Sequence, residues 1–270
     1  MADRVGIGCG DYLLTEAGFG ADMGAERFFN IKCRIGGMRP DAAVLVVTVR
    51  ALKTHAGRYQ VVPGKPLPEA MLEDNPDDVL AGGANLRKHI EIVREFGVSP
   101  VVALNVFPTD YPDEIDAVRK VAEAAGAHFA SSTHVVDGGG GAVDLARAVV
   151  TACDQKTAFR YTYDLEDSLV EKLTKIATKV YGADGIDIAP AAAKELAHFE
   201  DLGYGTFPVV IAKTHLSLSH DPSLKGAPTG WRLPVREVRA AVGAGYIYAI
   251  CGDMRTCLLY TSDAADEEDS

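Results

Sequence analysis

The sequence predicts an α/β protein in which a Rossmann-like, doubly wound and mostly parallel sheet is followed by a smaller mixed α/β domain. Residues 42–49 and 101–106 are apolar, uncharged and rich in β-branched side chains, as in strands covered on both faces of a parallel sheet. Between residues 37 and 157, such runs alternate three times with segments whose apolar residues recur at helical spacing. We therefore expect the Rossmann-like domain over residues 37–157 and the smaller domain after it.

Each predicted element has a local signal. Helices are marked by apolar residues three or four positions apart, and glycines such as Gly97 and Gly182 are expected to end them. Helices are expected from Ala25 to Arg34, through Val79 to Val93, through Ile115 to Ala122, through Val143 to Val149, through Leu165 to Val180, and from Pro190 to Glu200. Strands are expected at residues 42–49, 101–106, 128–131, 207–212 and 245–250.

Composition excludes several classes of protein. The chain has 270 residues, 47% of them hydrophobic, which is enough for a sizeable core. No apolar run approaches the roughly 20 residues that cross a bilayer, so we expect a soluble protein without a membrane partner. The net charge is −11 with no basic cluster, which argues against nucleic acid. The five cysteines are scattered singly, and neither they nor the histidines show metal-ligand spacing, so we expect reduced thiols, a cytoplasmic location and no metal site.

Cationic side chains follow two of the predicted buried strands. Arg50 and Lys53 come after the strand at residues 42–49, and Lys213 with Thr214 comes after the strand at residues 207–212. Ligands of open α/β sheets bind beyond the carboxyl ends of strands, so these groups could hold an anion. The alternatives are a solvated surface for Arg50 and Lys53, and a surface lysine beside a capping threonine for Lys213 and Thr214.

Three further features have both a binding and a structural interpretation. Trp231, the only tryptophan, lies among proline and glycine and could stack on a flat heterocycle, although single tryptophans are more often core anchors. Gly139 belongs to the run 138–141, which could bind an anion before a helix or could simply make a tight turn. The block 15–22 contains Glu16 and small residues that permit close approach of a ligand, but a turn and a helix cap explain most of it.

Several blocks together resemble the formate–tetrahydrofolate ligase family, also called formyltetrahydrofolate synthetase. The block at residues 47–57 is similar to a signature of that family, with Ala56 where the family usually has glycine. The order and spacing of the other blocks fit from about residue 2 to Thr256. These blocks are Thr15–Asp22, Asn105–Asp110, Gly138–Ala146, Ala212–Thr214 and Gly226–Glu237.

The resemblance implies a reaction, partners and residue roles. The family joins formate to tetrahydrofolate at the expense of ATP and makes 10-formyltetrahydrofolate through formyl phosphate, with Mg²⁺, a monovalent cation and usually a homotetramer. Arg50, Lys53 and Lys213 are then the candidates for stabilising formate or phosphate charge, and Tyr204 and Trp231 for gripping the pterin. The remaining candidates, for contacts to the nucleotide or another anion, are Glu16, Thr214 and Gly139.

The resemblance covers only part of the family's length. Members are roughly twice as long and carry a Gly-x-x-x-x-Gly-Lys-Ser/Thr phosphate loop, which this sequence lacks. We therefore expect the carboxyl-terminal half of the ligase, inactive alone, with residues 1–36 left from the preceding nucleotide-binding domain. Residues 158–256 would carry the pterin-binding loops. Residues 257–270, with five acidic and no basic side chains, are expected to be a disordered, non-native tail, with a native acidic tail as the alternative.

Two other functions stay open. The chain could be a non-catalytic module that binds folate or another protein. It could also be a nucleotide-dependent oxidoreductase, which the absence of a Gly-x-Gly-x-x-Gly fingerprint after a first strand disfavours.

Overall fold

The computed structural model describes residues 2–61 and 65–252. Nine α-helices occur in these ranges, at Ala2–Cys9 (α1), Arg34–Gly36 (α2), Val49–His55 (α3), Pro76–Glu95 (α4), Pro112–Ala124 (α5), His134–Asp137 (α6), Val143–Cys153 (α7), Leu169–Lys175 (α8) and Pro190–Asp201 (α9). Wider π-helical turns at Ala21–Ala25 and Phe28–Cys33 precede α2, and another at Ile176–Tyr181 continues α8. Short 3₁₀ turns lie at Glu69–Met71, Gly138–Ala142 and Val242–Ala244.

The strands of the described residues form three sheets. They span Ala42–Val47 (β1), Ser99–Asn105 (β2), His128–Ser132 (β3), Ile186–Ile188 (β4), Val209–Ala212 (β5), Leu233–Val235 (β6), Glu237–Ala241 (β7) and Tyr246–Ile250 (β8). The first sheet is parallel in the order β1-β2-β3. A second pairs β4 with β6 in parallel, and in the third β8 lies between β5, which is parallel to it, and antiparallel β7. The α/β fold class is therefore confirmed.

Local chemistry explains where the elements of the first sheet begin and end. Thr48 caps α3 by accepting a hydrogen bond from the Ala51 N–H at 3.1 Å, so β1 stops at Val47, two residues earlier than the sequence suggested. Asn75 caps α4 by accepting from the Asp78 N–H at 3.2 Å, with Pro76 in the first turn. Beyond α4, Gly97 adopts a left-handed φ of 73°, which allows the chain to turn into β2.

Helix α4 lies between two apolar clusters. Its Leu86 and Ile90 pack with the inner sides of β1 and β2 and with α5, whereas its Ile92 and Val93 belong to a larger cluster built from the later helices and strands. Phe29, from the segment before the first sheet, also lies in the larger cluster. The domain boundaries at residues 36 and 157 stay predictions, and the apolar contacts cross both of them.

One expectation about the first sheet is wrong. The strand β1 was expected to be covered on both faces, but the side chains of Val44 and Val46 are 39% and 72% exposed. Their exposure shows that one face of β1 is only partly covered. None of the described helices combines the length and apolar character that spanning a bilayer requires. The predicted tail at residues 257–270 lies outside the described residues.

Candidate functional site

The carboxyl ends of β1 and β2 meet at Arg50, in the first turn of α3. Its Nη2 donates to the Thr109 Oγ1 at 2.9 Å, and its guanidinium lies 4.4 Å from the centroid of the Phe107 ring. The Nε is buried and has no hydrogen-bond partner among the described residues. Arg50 therefore has a fixed position at the carboxyl edge of a parallel sheet, where ligands of such sheets commonly bind.

The ammonium group of Lys53 has all its hydrogen bonds satisfied inside the protein. It forms an ion pair with the buried carboxylate of Glu114 and donates to the carbonyl oxygens of Met71 and Glu73, at 3.0 and 2.7 Å. Both partners of the ion pair are almost fully buried. These contacts tie α3 to α5 and to the connection before α4, which is a scaffold rather than an open anion site.

Lys213, at the end of β5, is also buried and saturated. Its Nζ donates to the Asp22 Oδ2 at 2.7 Å and to the carbonyl oxygens of Thr214 and Ser217, at 3.2 and 2.7 Å. Burial lowers the pKa of Lys213, while the carboxylate of Asp22 acts in the opposite direction. Two blocks that the sequence marked separately, residues 15–22 and 212–214, thus meet in a buried ion pair.

Other buried polar groups surround this pair. Burial raises the pKa of Glu26 to about 7, although the hydrogen bond from Asn30 at 2.8 Å works against this. Burial lowers the pKa of His89, whose Nδ1 accepts a hydrogen bond from the Ala21 N–H at 3.2 Å. The Glu26 Oε2 and the Tyr181 hydroxyl have no hydrogen-bond partner among the described residues. The cluster is enclosed, so it supports the neighbouring surface instead of forming an open site.

A recess of about 710 Å³ opens on that surface. One wall comes from the end of α3 and the residues after it, and the opposite wall from the loop that leads to β6. The lining residues are His55, Ala56, Gly57, Arg58, Tyr59, Gln60, Ser223, Leu224, Lys225, Pro228 and Thr229. A volume of this size is typical of pockets for small organic molecules.

Hydrogen bonds from both sides fix the second wall. The Gly226 N–H donates to the His55 Nδ1 at 3.2 Å, and the Asn85 side chain donates to the Gly226 carbonyl at 3.0 Å. The Ser217 hydroxyl donates to the Leu224 carbonyl at 2.6 Å, which links this wall to the buried Lys213. The wall is therefore held in place by the protein's own hydrogen bonds.

His55 is a neutral acceptor in this arrangement. Burial lowers the pKa of His55 to about 4, with smaller contributions from His89 and Lys225. Because its Nδ1 accepts from the Gly226 N–H, the ring proton lies on Nε2. The low pKa and the hydrogen bond agree, since a protonated ring could not accept this bond.

Comparison with known proteins identifies the family. The family model for formate–tetrahydrofolate ligase matches residues 1–264. The chain belongs to this family. It is 94% identical over 256 residues to the formate–tetrahydrofolate ligase of Cutibacterium acnes, a match that covers 95% of this chain and 46% of that protein. It is 65% identical to the ligase of Saccharopolyspora erythraea over 95% of this chain and 45% of that protein. The chain thus spans about half the length of these relatives, as a fragment of a family member would.

The two aromatic residues that the family resemblance suggested for pterin binding lie in different surroundings. Trp231 is 7% exposed, its ring centroid is 5.8 Å from that of His220, and its Nε1 donates to the Pro228 carbonyl at 3.0 Å. Tyr204 is half-buried and stacks on Phe207, with centroids 5.0 Å apart. Trp231 therefore supports the recess wall from behind at Pro228, whereas Tyr204 does not line the recess. Their roles in this formate–tetrahydrofolate ligase fragment stay predictions.

The three suggested nucleotide or anion contacts are not brought together at the recess. Glu16 is exposed on a segment without regular secondary structure, and Gly139 is exposed within a 3₁₀ turn. Thr214 is buried, and its hydroxyl accepts from the Leu216 N–H at 3.2 Å. None of the three lines the recess. Their assignment also stays a prediction.

The buried polar residues that lie behind the recess were not predicted from the sequence. Asp22, Glu26 and Asn30 recur every four residues, so they share one face of the helical segment, and this spacing was the signal that could have revealed a buried polar row. The link between His55 and Gly226 had no comparable signal, because the two residues lie far apart in the chain. In the part of the chain that the structure describes, no group of three or more His, Cys, Asp or Glu side chains is placed to hold a metal ion.

Proposed function

We propose that this chain is the folate-holding part of an enzyme that joins formate to tetrahydrofolate with consumption of ATP. One observation supports this above the others. The two walls of the recess come from residues 55–60 and 223–229, and these overlap the blocks 47–57 and 226–237 that resemble the ligase family. Two blocks far apart in sequence therefore converge on one opening of the size of a small organic ligand.

The lining chemistry suits a reduced folate. Arg58 and Lys225 supply cationic groups on opposite walls, which suits the carboxylates of the glutamate tail, although the Arg58 guanidinium also pairs with Asp78 at 2.5 Å. Tyr59 adds an aromatic ring for a flat heterocycle. His55 is neutral at neutral pH, so the apolar part of such a ligand could lie beside its ring without displacing water from a charged group.

The residues around the recess suggest a division of labour in the reaction. Formate is a poor acyl donor because it is anionic and has no good leaving group, and phosphorylation to formyl phosphate would remove both obstacles. Arg50 is only partly buried, so it is the group best placed among the three predicted cations to stabilise charge on such an intermediate. Lys53 and Lys213, whose hydrogen bonds are satisfied internally, would hold the elements that carry the recess.

The ATP-binding part would come from the portion of the ligase outside this chain. The sequence contains no Gly-x-x-x-x-Gly-Lys-Ser/Thr loop, whose amides and lysine would cradle the phosphates. Among the described residues no group of three or more His, Cys, Asp or Glu side chains is placed to hold a metal ion, and no step is derived through the Mg²⁺ and monovalent cation that the family resemblance implies. The homotetramer and the cytoplasmic location remain predictions of the same resemblance and of the scattered cysteines.

A non-catalytic folate-binding module is the second candidate for the isolated chain. The observation that favours it is the coverage of only about half of each relative. Both candidates predict folate binding, and they differ in turnover with formate, ATP and tetrahydrofolate. We expect no turnover from the isolated chain, and measurable turnover would show that ATP is bound and used within it.

The test uses Trp231 as a single intrinsic probe. We expect 5-formyltetrahydrofolate to change its fluorescence saturably, after correction with free N-acetyltryptophanamide, because the ligand would press on Pro228, to which the indole is bonded. Thr229→Arg, which fills the mouth of the recess, should abolish the change. Val242→Arg, at an exposed position that does not line the recess, should preserve it. An unsaturable signal, or equal binding by the two variants, would refute the proposed site.

A further inference from the structure

The first sheet is covered unequally on its two faces. In the parallel register, Val44 pairs with Val101 and Val46 pairs with Ala103, so all four side chains point to the same face. Val101 and Ala103 are buried on β2, whereas Val44 and Val46 remain 39% and 72% exposed on β1. Helix α7 contacts all three strands, but it leaves the side chains of Val44 and Val46 on β1 exposed. An apolar strip therefore lies open beside α7.

The backbone of the same strand is open as well. Among the described residues β1 pairs only with β2, so its second edge carries N–H and C=O groups without a strand partner. Parallel sheets occur almost only with both faces covered by helices. A long apolar edge strand that faces solvent is a site of association.

The geometry favours one occupant of this surface over a second copy of the chain. Two copies related by a twofold axis perpendicular to the sheet would pair β1 with β1 in antiparallel orientation, in a sheet whose other strands are all parallel. A strand followed by a helix, from the same polypeptide, would instead continue the parallel order and place a helix over Val44 and Val46. More than half of the length of each matched relative lies outside this chain and can supply such a unit.

We propose that the strip formed by β1, Val44 and Val46 is an interface within the ligase, onto which a strand–helix unit from the part outside this chain docks in parallel. The proposal uses the family assignment but does not require folate to bind in the recess. Its test measures stability and association, so a failure of the folate proposal would leave its outcome unchanged.

The experiment compares one substitution in two settings. Val46→Glu is made in the isolated chain and in a full-length ligase in which this chain replaces the matching 256 residues of the Cutibacterium acnes protein. In the isolated chain position 46 is exposed, and we expect Tm to change by less than about 1 °C. In the full-length protein a buried, unpaired carboxylate should lower Tm by roughly 5 °C or more.

A graded control and a size measurement decide among the alternatives. Val46→Thr keeps the branched shape without a charge and should lower Tm of the full-length protein by less than Val46→Glu does. Equal small shifts for Val46→Glu in both settings would overturn the proposal, because the strip would then stay exposed in the whole enzyme. Light scattering of the isolated chain gives the other refutation: a dimer that Val46→Glu converts to a monomer would assign the strip to a second copy.

Discussion

Replacing Glu26 by glutamine should remove a pH-dependent cost of folding. The side chain is fully buried, its Oε1 accepts from Asn30 at 2.8 Å, and its Oε2 has no partner among the described residues. Burial raises the pKa of Glu26 from 4.5 to about 7, against the hydrogen bond from Asn30 and the charge of Arg27. The folded protein therefore holds a proton that the unfolded chain releases.

The sign and size of the effect follow from this difference. Below pH 4.5 both states are protonated and the carboxyl group has no pH-dependent cost. Between pH 4.5 and about 7 only the unfolded chain has lost the proton, so the free energy of unfolding falls as pH rises. A pKa shift of this size lowers the free energy of unfolding by about 3 kcal/mol, and the full loss is reached above pH 7. Glutamine cannot ionise, so Glu26→Gln should be free of this loss.

Urea unfolding from about pH 5 to about pH 8 measures the prediction. The quantity to compare is the difference between the variant and the unsubstituted chain, because His55, with its pKa lowered to about 4, contributes a pH dependence of opposite sign to both. The difference should grow in favour of Glu26→Gln by about 2.5 kcal/mol across this range, because a smaller part of the effect has already developed at pH 5. A difference that does not vary with pH would refute the reasoning.

An exposed glutamate provides a control of opposite sign. Hydrogen bonds from the Ser168 N–H and hydroxyl lower the pKa of Glu171. Its stabilising contribution is therefore present at neutral pH and is lost as pH falls through the acid range. Glu171→Gln should be less stable than the unsubstituted chain at neutral pH, and the two should converge on acidification.

Three further predictions concern Lys53, Gly82 and His55. Lys53→Met should lower the free energy of unfolding by about 3–5 kcal/mol in urea titrations, because it leaves the buried Glu114 carboxylate without its cation. Gly82→Ala should lower Tm sharply in thermal unfolding, because its Cβ would lie 1.8 Å from the Leu52 carbonyl oxygen where α3 crosses α4. When the pH is lowered from 6.5 to about 4, the free energy of unfolding should fall less for His55→Gln than for the unsubstituted chain. In this interval the histidine of the unfolded chain takes up a proton that the histidine of the folded chain does not.

Each of these predictions has its own check. The double variant Lys53→Met, Glu114→Gln should recover part of the loss, and a loss equal to the sum of the two single effects would show that the ion pair is not coupled. Gly8→Ala, where an added Cβ meets no atom within 4 Å, should leave Tm unchanged or slightly raised. Parallel acid unfolding curves for His55→Gln and the unsubstituted chain would contradict the buried, neutral histidine.

The helices and strands that were predicted well are those determined by residues within or next to the element itself. Helix α4 and strand β2 have long apolar patterns, and Gly97 and Gly182 end their segments with left-handed φ of 73° and 76°. The strands β4, β6 and β7 were missed, because they are only three to five residues long and lack a period of their own. The open face of β1 was missed for another reason: an apolar run is the same whether one face or both are covered.

The candidate site shows where single-sequence reasoning stops. A lysine after a buried strand has the same sequence pattern whether it contacts a ligand or a buried carboxylate. Lys213 binds Asp22, which lies 191 positions away in the chain. The basic residues could therefore be located at strand ends, but their partners could not. The recess has the same limitation, since its walls join the His55 and Gly226 regions only after the two parts of the chain have packed together.

Hydrogen–deuterium exchange with and without tetrahydrofolate tests the central claim most directly. If this ligase fragment holds a reduced folate in the recess, the backbone amides of residues 55–60 and 223–229 should exchange more slowly when the ligand is present, while those of α7 should not change. Unaltered exchange in both walls at saturating ligand, or protection confined to other segments, would contradict the account.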